Sequence, residues 1–129
     1  MEDVPLLASL NQMLIEDEKA ETDLTMTQLE ERMADFLQTS YAAFLFYDAC
    51  GPLGYALCDR QQTPVYLRQF FICRDKRRKG YGRQALQLLR AHLDIRELEI
   101  DVYGWNRQGL AFWKAVGFEE RFCRMRYKE

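Results

Sequence analysis

The chain has 129 residues, 48% hydrophobic and 13% aromatic, enough for one domain with a real core. No apolar run approaches the ~20 residues of a membrane span, and the opening MEDVP lacks the basic stretch of a secretory signal, so the expected address is the cytoplasm. The net charge of −2 hides ten acids against two bases in residues 1–40 and ten against sixteen in 41–129; an acidic first part is most often a solvated helix face.

Asp3 is placed to cap a first helix, with Pro5 tolerated in its first turn. Leu6, Leu7, Leu10, Met13 and Leu14 form its apolar stripe. Glu16, Asp17, Glu18 and Glu21 crowd the end of that helix, where carboxylates oppose the macrodipole. Thr27 and Glu30 fit a capping box for a second helix, with Leu29, Met33, Phe36 and Leu37 facing inward. Both stripes read as core packing.

YAAFLFYD (41–48) is a continuous apolar run of strand length. Cys50, Gly51 and Pro52 turn the chain into LGYALCD (53–59), and residues 60–64 turn it again into VYLRQFFIC (65–73). Three strands with short connections make an antiparallel meander. Ala85, Leu86, Leu89 and Leu93 then mark one face of a helix over 80–93, which crosses over to RELEIDVYG (96–104). Such a crossover makes that strand parallel to its predecessor. Asn106 caps a last helix, Gly117 is placed to end it, and FCRMRY (122–127) alternates as a closing edge strand. The chain reads as a single α/β domain over residues 1–129.

Four scattered cysteines (Cys50, Cys58, Cys73, Cys123) form no C-x-x-C pair and read as reduced, largely buried thiols. With one histidine, His92, no metal site is expected.

Between the 65–73 strand and the next helix lies a turn with Gly80, Gly82 and five bases: Lys76, Arg77, Arg78, Lys79 and Arg83. Strand, glycine-bearing turn and helix start together make an anion cradle, since free N–H groups and the dipole both favour negative charge. A solvated basic loop is the plain alternative. A dinucleotide fingerprint is another, because Gly80-x-Gly82-x-x-Ala85 fits G-x-G-x-x-A with Asp101 about 20 residues on. That motif wants its first glycine directly after the strand, where several charged residues intervene here, and further βαβ units, for which the remaining chain has little room. A nucleic-acid partner is not expected, since no recognition helix or stacking platform accompanies the basic run.

The third reading is a diphosphate site on R-x-x-G-x-G, from Arg77 to Gly82. This pattern, behind an apolar strand ending in Phe71 and Ile72, resembles the GNAT superfamily of N-acetyltransferases. Asn106 opening a helix, then Phe112 and Trp113, then Gly117 and Phe118, agree with it. The resemblance covers roughly residues 65–118. It implies a mixed sheet, antiparallel and then parallel, although the family's usual first strand is lacking here. It implies acetyl-CoA as co-substrate and direct transfer to a primary amine in a ternary complex. A CoA-binding or regulatory module with little catalysis, or a dinucleotide-binding domain, is the alternative.

Residue by residue, the resemblance implies that backbone groups of Phe71, Ile72 and Cys73 pair with the pantetheine arm. A bulge in that stretch would splay the two parallel strands. Main-chain N–H groups of Arg78, Lys79, Gly80, Tyr81, Gly82 and Arg83 would hold the diphosphate, with basic side chains such as Arg77 on its rim. Asn106 would reach the cofactor from the last helix. The family's usual tyrosine acid is replaced by Trp113, and its usual strand glutamate by Arg68 or Gln69. Tyr103 is a candidate for the acid. Asp17, Glu18 and Glu21 are candidates to line the acceptor slot, attract a small cationic amine and take its proton. Free edge strands also suggest a homodimer.

Overall fold

In a computed structural model that describes residues 2–20 and 22–129, two helical layers enclose a four-stranded sheet. The elements are α1 (Val4–Glu18), α2 (Met26–Leu37), β1 (Tyr41–Asp48), β2 (Gly51–Asp59), β3 (Val65–Ile72), a 3₁₀ turn (Arg74–Lys76), α3 (Tyr81–Leu93), β4 (Leu98–Ile100) and α4 (Arg107–Ala115). The sheet order is β1-β2-β3-β4, antiparallel across the first two pairs and parallel across the last. This is the mixed α/β sheet expected from the chain's connections. The first strand in the order is Tyr41–Asp48, so no earlier strand precedes α1 among the described residues.

Strand alternation assigns the two cores. On one face Tyr55, Leu57 and Phe71 meet Leu7, Leu10 and Leu14 of α1 and Met33 of α2. On the other, Ala56, Cys58 and Leu67 meet Leu86 and Leu89 of α3 and Trp113 of α4. β2 is buried from Leu53 to Asp59 because both layers cover it. The stripe of α1 is rotated from its expected place: Met13 is 42% exposed, while Val4, Ala8 and Asn11 are buried. Asn11 is affordable there because its Oδ1 accepts a 2.8 Å bond from Arg32 Nη2, tying α1 to α2.

Four local expectations are corrected. The capping box uses Thr25 and Gln28, not Thr27 and Glu30; Gln28 N–H donates to Thr25 Oγ1 and Thr25 N–H to Gln28 Oε1. Asp3 stands at the N-cap of α1 but makes no side-chain cap bond. Cys50 and Cys123 are exposed, and of the four free thiols only Cys58 is buried. The 122–127 segment is no strand: residues 119–129 are exposed, with no assigned secondary structure. Alternation creates a strand only where a neighbouring strand supplies hydrogen bonds.

Candidate functional site

The parallel pair β3/β4 is short. Val65, Tyr66 and Leu67 pair with Leu98, Glu99 and Ile100, after which β4 ends and β3 runs on to Ile72. The parting coincides with a bulge. Leu57 faces Gln69 and Cys58 faces Leu67, which leaves Arg68 without a partner in β2. The expected bulge therefore exists, but at Arg68 rather than at residues 71–73.

Beyond the bulge, β3 has main-chain groups to offer. Cys73 N–H donates to Leu53 O at 2.7 Å, so the Cys73 amide is already committed to β2. Alternate residues turn their N–H and C=O to opposite sides, so Phe70 and Ile72 face away from β2. The Ile72 carbonyl accepts from Arg77 Nε at 2.8 Å, which leaves its N–H on the side where β4 has ended. Gly54 lets β2 approach this stretch; a Cβ there would lie 1.9 Å from the Phe71 carbonyl oxygen.

The turn after β3 is built as a cradle. Arg78 (φ 64°) and Gly80 (φ 79°) both adopt left-handed backbone, a conformation that gathers successive N–H groups into a concave nest. Gly80 is the N-cap of α3 and supplies no side-chain cap. The first helical amide to find a main-chain partner is Gln84, bonded to Gly80 O at 3.1 Å. The N–H groups of Tyr81, Gly82 and Arg83 thus lie at the helix start without intrahelical partners.

The basic side chains divide. Arg77 Nε holds the Ile72 carbonyl, its Nη2 holds Asp17, and its guanidinium lies 5.3 Å from the Phe71 ring centre. Arg74 also binds Asp17, Lys76 pairs with Asp48 at 3.5 Å, and Arg83 donates to Ala115 O at 3.3 Å. Arg78 and Lys79 are exposed and take no such partner among the described residues. Arg77, the first residue of the motif, therefore braces the turn.

The end of α1 and the segment after β4 meet beside this turn. Asp17 is occupied by Arg74 and Arg77. Glu18 is half-buried, and its carboxyl is pushed up to about 7 by burial and, secondarily, by Asp17. Its main-chain carbonyl accepts a 2.7 Å bond from Trp105 Nε1, and Trp105 stacks on Tyr103 with ring centres 4.5 Å apart. Glu21 lies outside the described residues. Tyr55 is buried and its hydroxyl donates to Gln69 Oε1 at 2.8 Å; burial holds this phenol well above its ordinary range. Arg68 lies over Phe36 at 4.9 Å and donates to the Tyr41 hydroxyl at 3.3 Å. Tyr66 donates to Asp101 at 2.9 Å; burial first, and then Asp101, push its hydroxyl up to about 12.

Two sequence candidates take structural positions. Asn106 Oδ1 accepts from Gly109 N–H at 3.0 Å and caps α4. Trp113 is buried among Phe70, Phe112 and Phe118 on the far face of the sheet. Sequence reasoning missed Gly54, the Tyr55–Gln69 pair and Trp105. Only the last left a signal, an aromatic directly before the cap residue. Among the described residues no group of three His, Cys, Asp or Glu side chains is set to hold a metal, and no helix is long and apolar enough to cross a membrane.

The sequence model of the Acetyltransferase (GNAT) family matches residues 7–118. None of the curated proteins matches the chain. Among solved structures, an acetyltransferase from Thermus thermophilus is 27% identical with TM-score 0.74, over 92% of this chain and 81% of that one. A tetramutant of the BH1408 protein from Bacillus halodurans has TM-score 0.80 at 18% identity, over 99% and 95% of the two chains. A predicted acetyltransferase with acetyl-CoA from Clostridium acetobutylicum has TM-score 0.71 at 14% identity, over 99% and 91%. At those identities the last two show a shared fold.

Proposed function

The chain belongs to the GNAT acetyltransferase family, and from that premise we propose that it moves an acetyl group from acetyl-CoA to the primary amine of a small cationic acceptor, directly, within a ternary complex. The observation that carries this reading is the parting of β3 and β4 beside a turn of unfilled amides. One feature suits an extended amide-bearing arm and the other a diphosphate, and acetyl-CoA has both. The fit is good: Ile72 N–H and the Phe70 main chain would pair with the arm, and the amides of Tyr81, Gly82 and Arg83 would take the diphosphate. Arg78 and Lys79 would lie on its rim, while Arg77 would position the turn.

When bound, acetyl-CoA supplies a thioester carbonyl for the amine to attack. A main-chain N–H near the bulge would polarise that carbonyl, as oxyanion donors do. The amine must be neutral to attack, and the Glu18 carboxylate is the group assigned to take its proton, directly or through water. Asp17 is held by two arginines and does not share that role. The departing thiol has an ordinary pKa of about 8.5, so it leaves as thiolate without a tyrosine at position 113.

The replacement of the family's acid and base by Trp113, Arg68 and Gln69 favours a second reading, a CoA-binding module with little catalysis. Thiol release from acetyl-CoA, followed colorimetrically against a panel of amines and polyamines, separates the two. Amine-dependent release is the expected result. CoA binding by calorimetry without release would establish the module. Micromolar binding of a nicotinamide dinucleotide, with none of CoA, would overturn both.

A further inference from the structure

Two guanidinium groups stand over one ring. Arg32 of α2 lies 5.8 Å and Arg68 of the β3 bulge 4.9 Å from the centre of the Phe36 ring. Like charges brought together disfavour each other. Burial first, and then Arg68, hold Arg32 below its usual basicity, against the influence of Tyr55 and Tyr103. Neither arginine forms an ion pair among the described residues, whereas Arg74, Lys76 and Arg77 all find carboxylates. Asp101, just past β4, accepts from the Tyr66 hydroxyl at 2.9 Å and forms no ion pair with Arg68.

The pair is held in place. Arg32 Nη2 donates to Oδ1 of buried Asn11, and Arg68 Nη1 to the Tyr41 hydroxyl, whose ring lies 4.8 Å from that of Phe36. A half-buried guanidinium that spends one N–H on a neutral amide keeps its others for a ligand. The position is on the acceptor side of the site. Arg68 sits where β3 and β4 part. The Tyr55 hydroxyl, governed first by burial, also feels Asn11, Glu18 and Arg32, so Glu18 and Arg32 are both its neighbours. Tyr103, another neighbour of Arg32, stacks on Trp105, whose indole N–H holds the Glu18 carbonyl.

We propose that Arg32 and Arg68 bind a carboxylate of the acceptor, and that the amine substrate is an amino acid. A planar carboxylate matches the forked donors of a guanidinium and relieves the repulsion between the two. With that carboxylate in place, a net positive acceptor needs two ammonium groups, which makes it a basic amino acid. One of those ammonium groups gives its proton to Glu18. The identity of the acceptor rests on the acetyl-transfer reading; the binding of a carboxylate at the two arginines does not.

Matched amines that differ only in the carboxylate test it: lysine against cadaverine, and ornithine against putrescine. Binding is read by calorimetry of the full chain with CoA present, and transfer by thiol release from acetyl-CoA. At least one amino acid should bind about tenfold or more tightly than its decarboxylated partner, the worth of a hydrogen bond to a charged group. Arg68→Gln, at an exposed position, should bring that ratio near one. This variant carries the test if Arg32→Gln, which deprives buried Asn11 of its partner, does not fold. Diamines that bind as tightly as their amino acids, or a preference that survives Arg68→Gln, would overturn the proposal and leave acetyl transfer standing. Absence of binding by both amino acids would overturn it equally. Arginine-dependent binding of lysine or ornithine without thiol release would sustain the carboxylate site and sink acetyl transfer.

Discussion

Burial raises the Glu18 carboxyl to about 7, with Asp17 adding to the shift. The folded chain holds this proton more tightly than the unfolded chain, whose carboxyl has its ordinary value near 4.5. Its contribution to stability is therefore full below about pH 4.5 and is lost as pH rises through about 7. Relative to wild type, Glu18→Gln should gain thermal stability between pH 5 and pH 8, which calorimetry at stepped pH would reveal. If Glu18 takes the amine's proton, kcat/KM rises through the same interval, and Glu18→Gln removes that limb with a loss of about 10²-fold or more. Trp113 makes the opposite case. Its ring packs against Phe70, Phe112 and Phe118, so its value is volume. Trp113→Phe should cost about 1–2 kcal/mol and Trp113→Ala about 3–5 kcal/mol in denaturant unfolding. The Phe variant should keep its rate within about tenfold, since no general acid is removed.

The end of α1 and the turn between β3 and α3, which the proposed function sets against the ligands, are joined through Asp17. Replacing Asp17 with Asn loosens Arg74 and Arg77 together, and Arg77 also holds the Ile72 carbonyl. The expected result is an acetyl-CoA KM raised by about fivefold, equivalent to ~1 kcal/mol, with the acceptor KM unchanged. Steady-state kinetics with each substrate varied in turn would show the split from Glu18→Gln. At the start of α3, a Cβ on Gly82 would lie 3.0 Å from Phe112 Cε1, and a carboxylate would face the bare amides. Gly82→Asp should abolish CoA binding by calorimetry. Local signals made these elements legible: glycines in the turn, leucines at helical spacing, alternation in the three antiparallel strands. The nine-residue alternation over 96–104 overstated β4 because its length is set by the Arg68 bulge in another strand. Thr25 and Thr27 each begin a T-x-x-Q/E pattern, so sequence spacing alone did not choose the cap.

At the scale of the molecule, charge is divided as the proposed substrates require, with the acidic residues 1–40 supplying α1 and the basic remainder supplying the turn. A cationic acceptor steered by that field should show a KM that rises between 20 mM and 300 mM salt, because the Debye length shrinks over that range from about 20 Å to about 6 Å. What no local pattern revealed were ties across the fold: Arg74 and Arg77 to Asp17, and Trp105 to the Glu18 carbonyl. These join residues 57 to 87 positions apart, and only the closed chain brings them together. The Trp105 bond has a practical consequence. It fastens the loop that follows β4 to the helix that carries the assigned proton acceptor, at a distance of 2.7 Å. Loop grafting from a relative, undertaken to change the acceptor, would import one half of this fastening and leave the other behind. The end of α1 and the 103–106 segment behave as a single cassette, to be exchanged together or not at all.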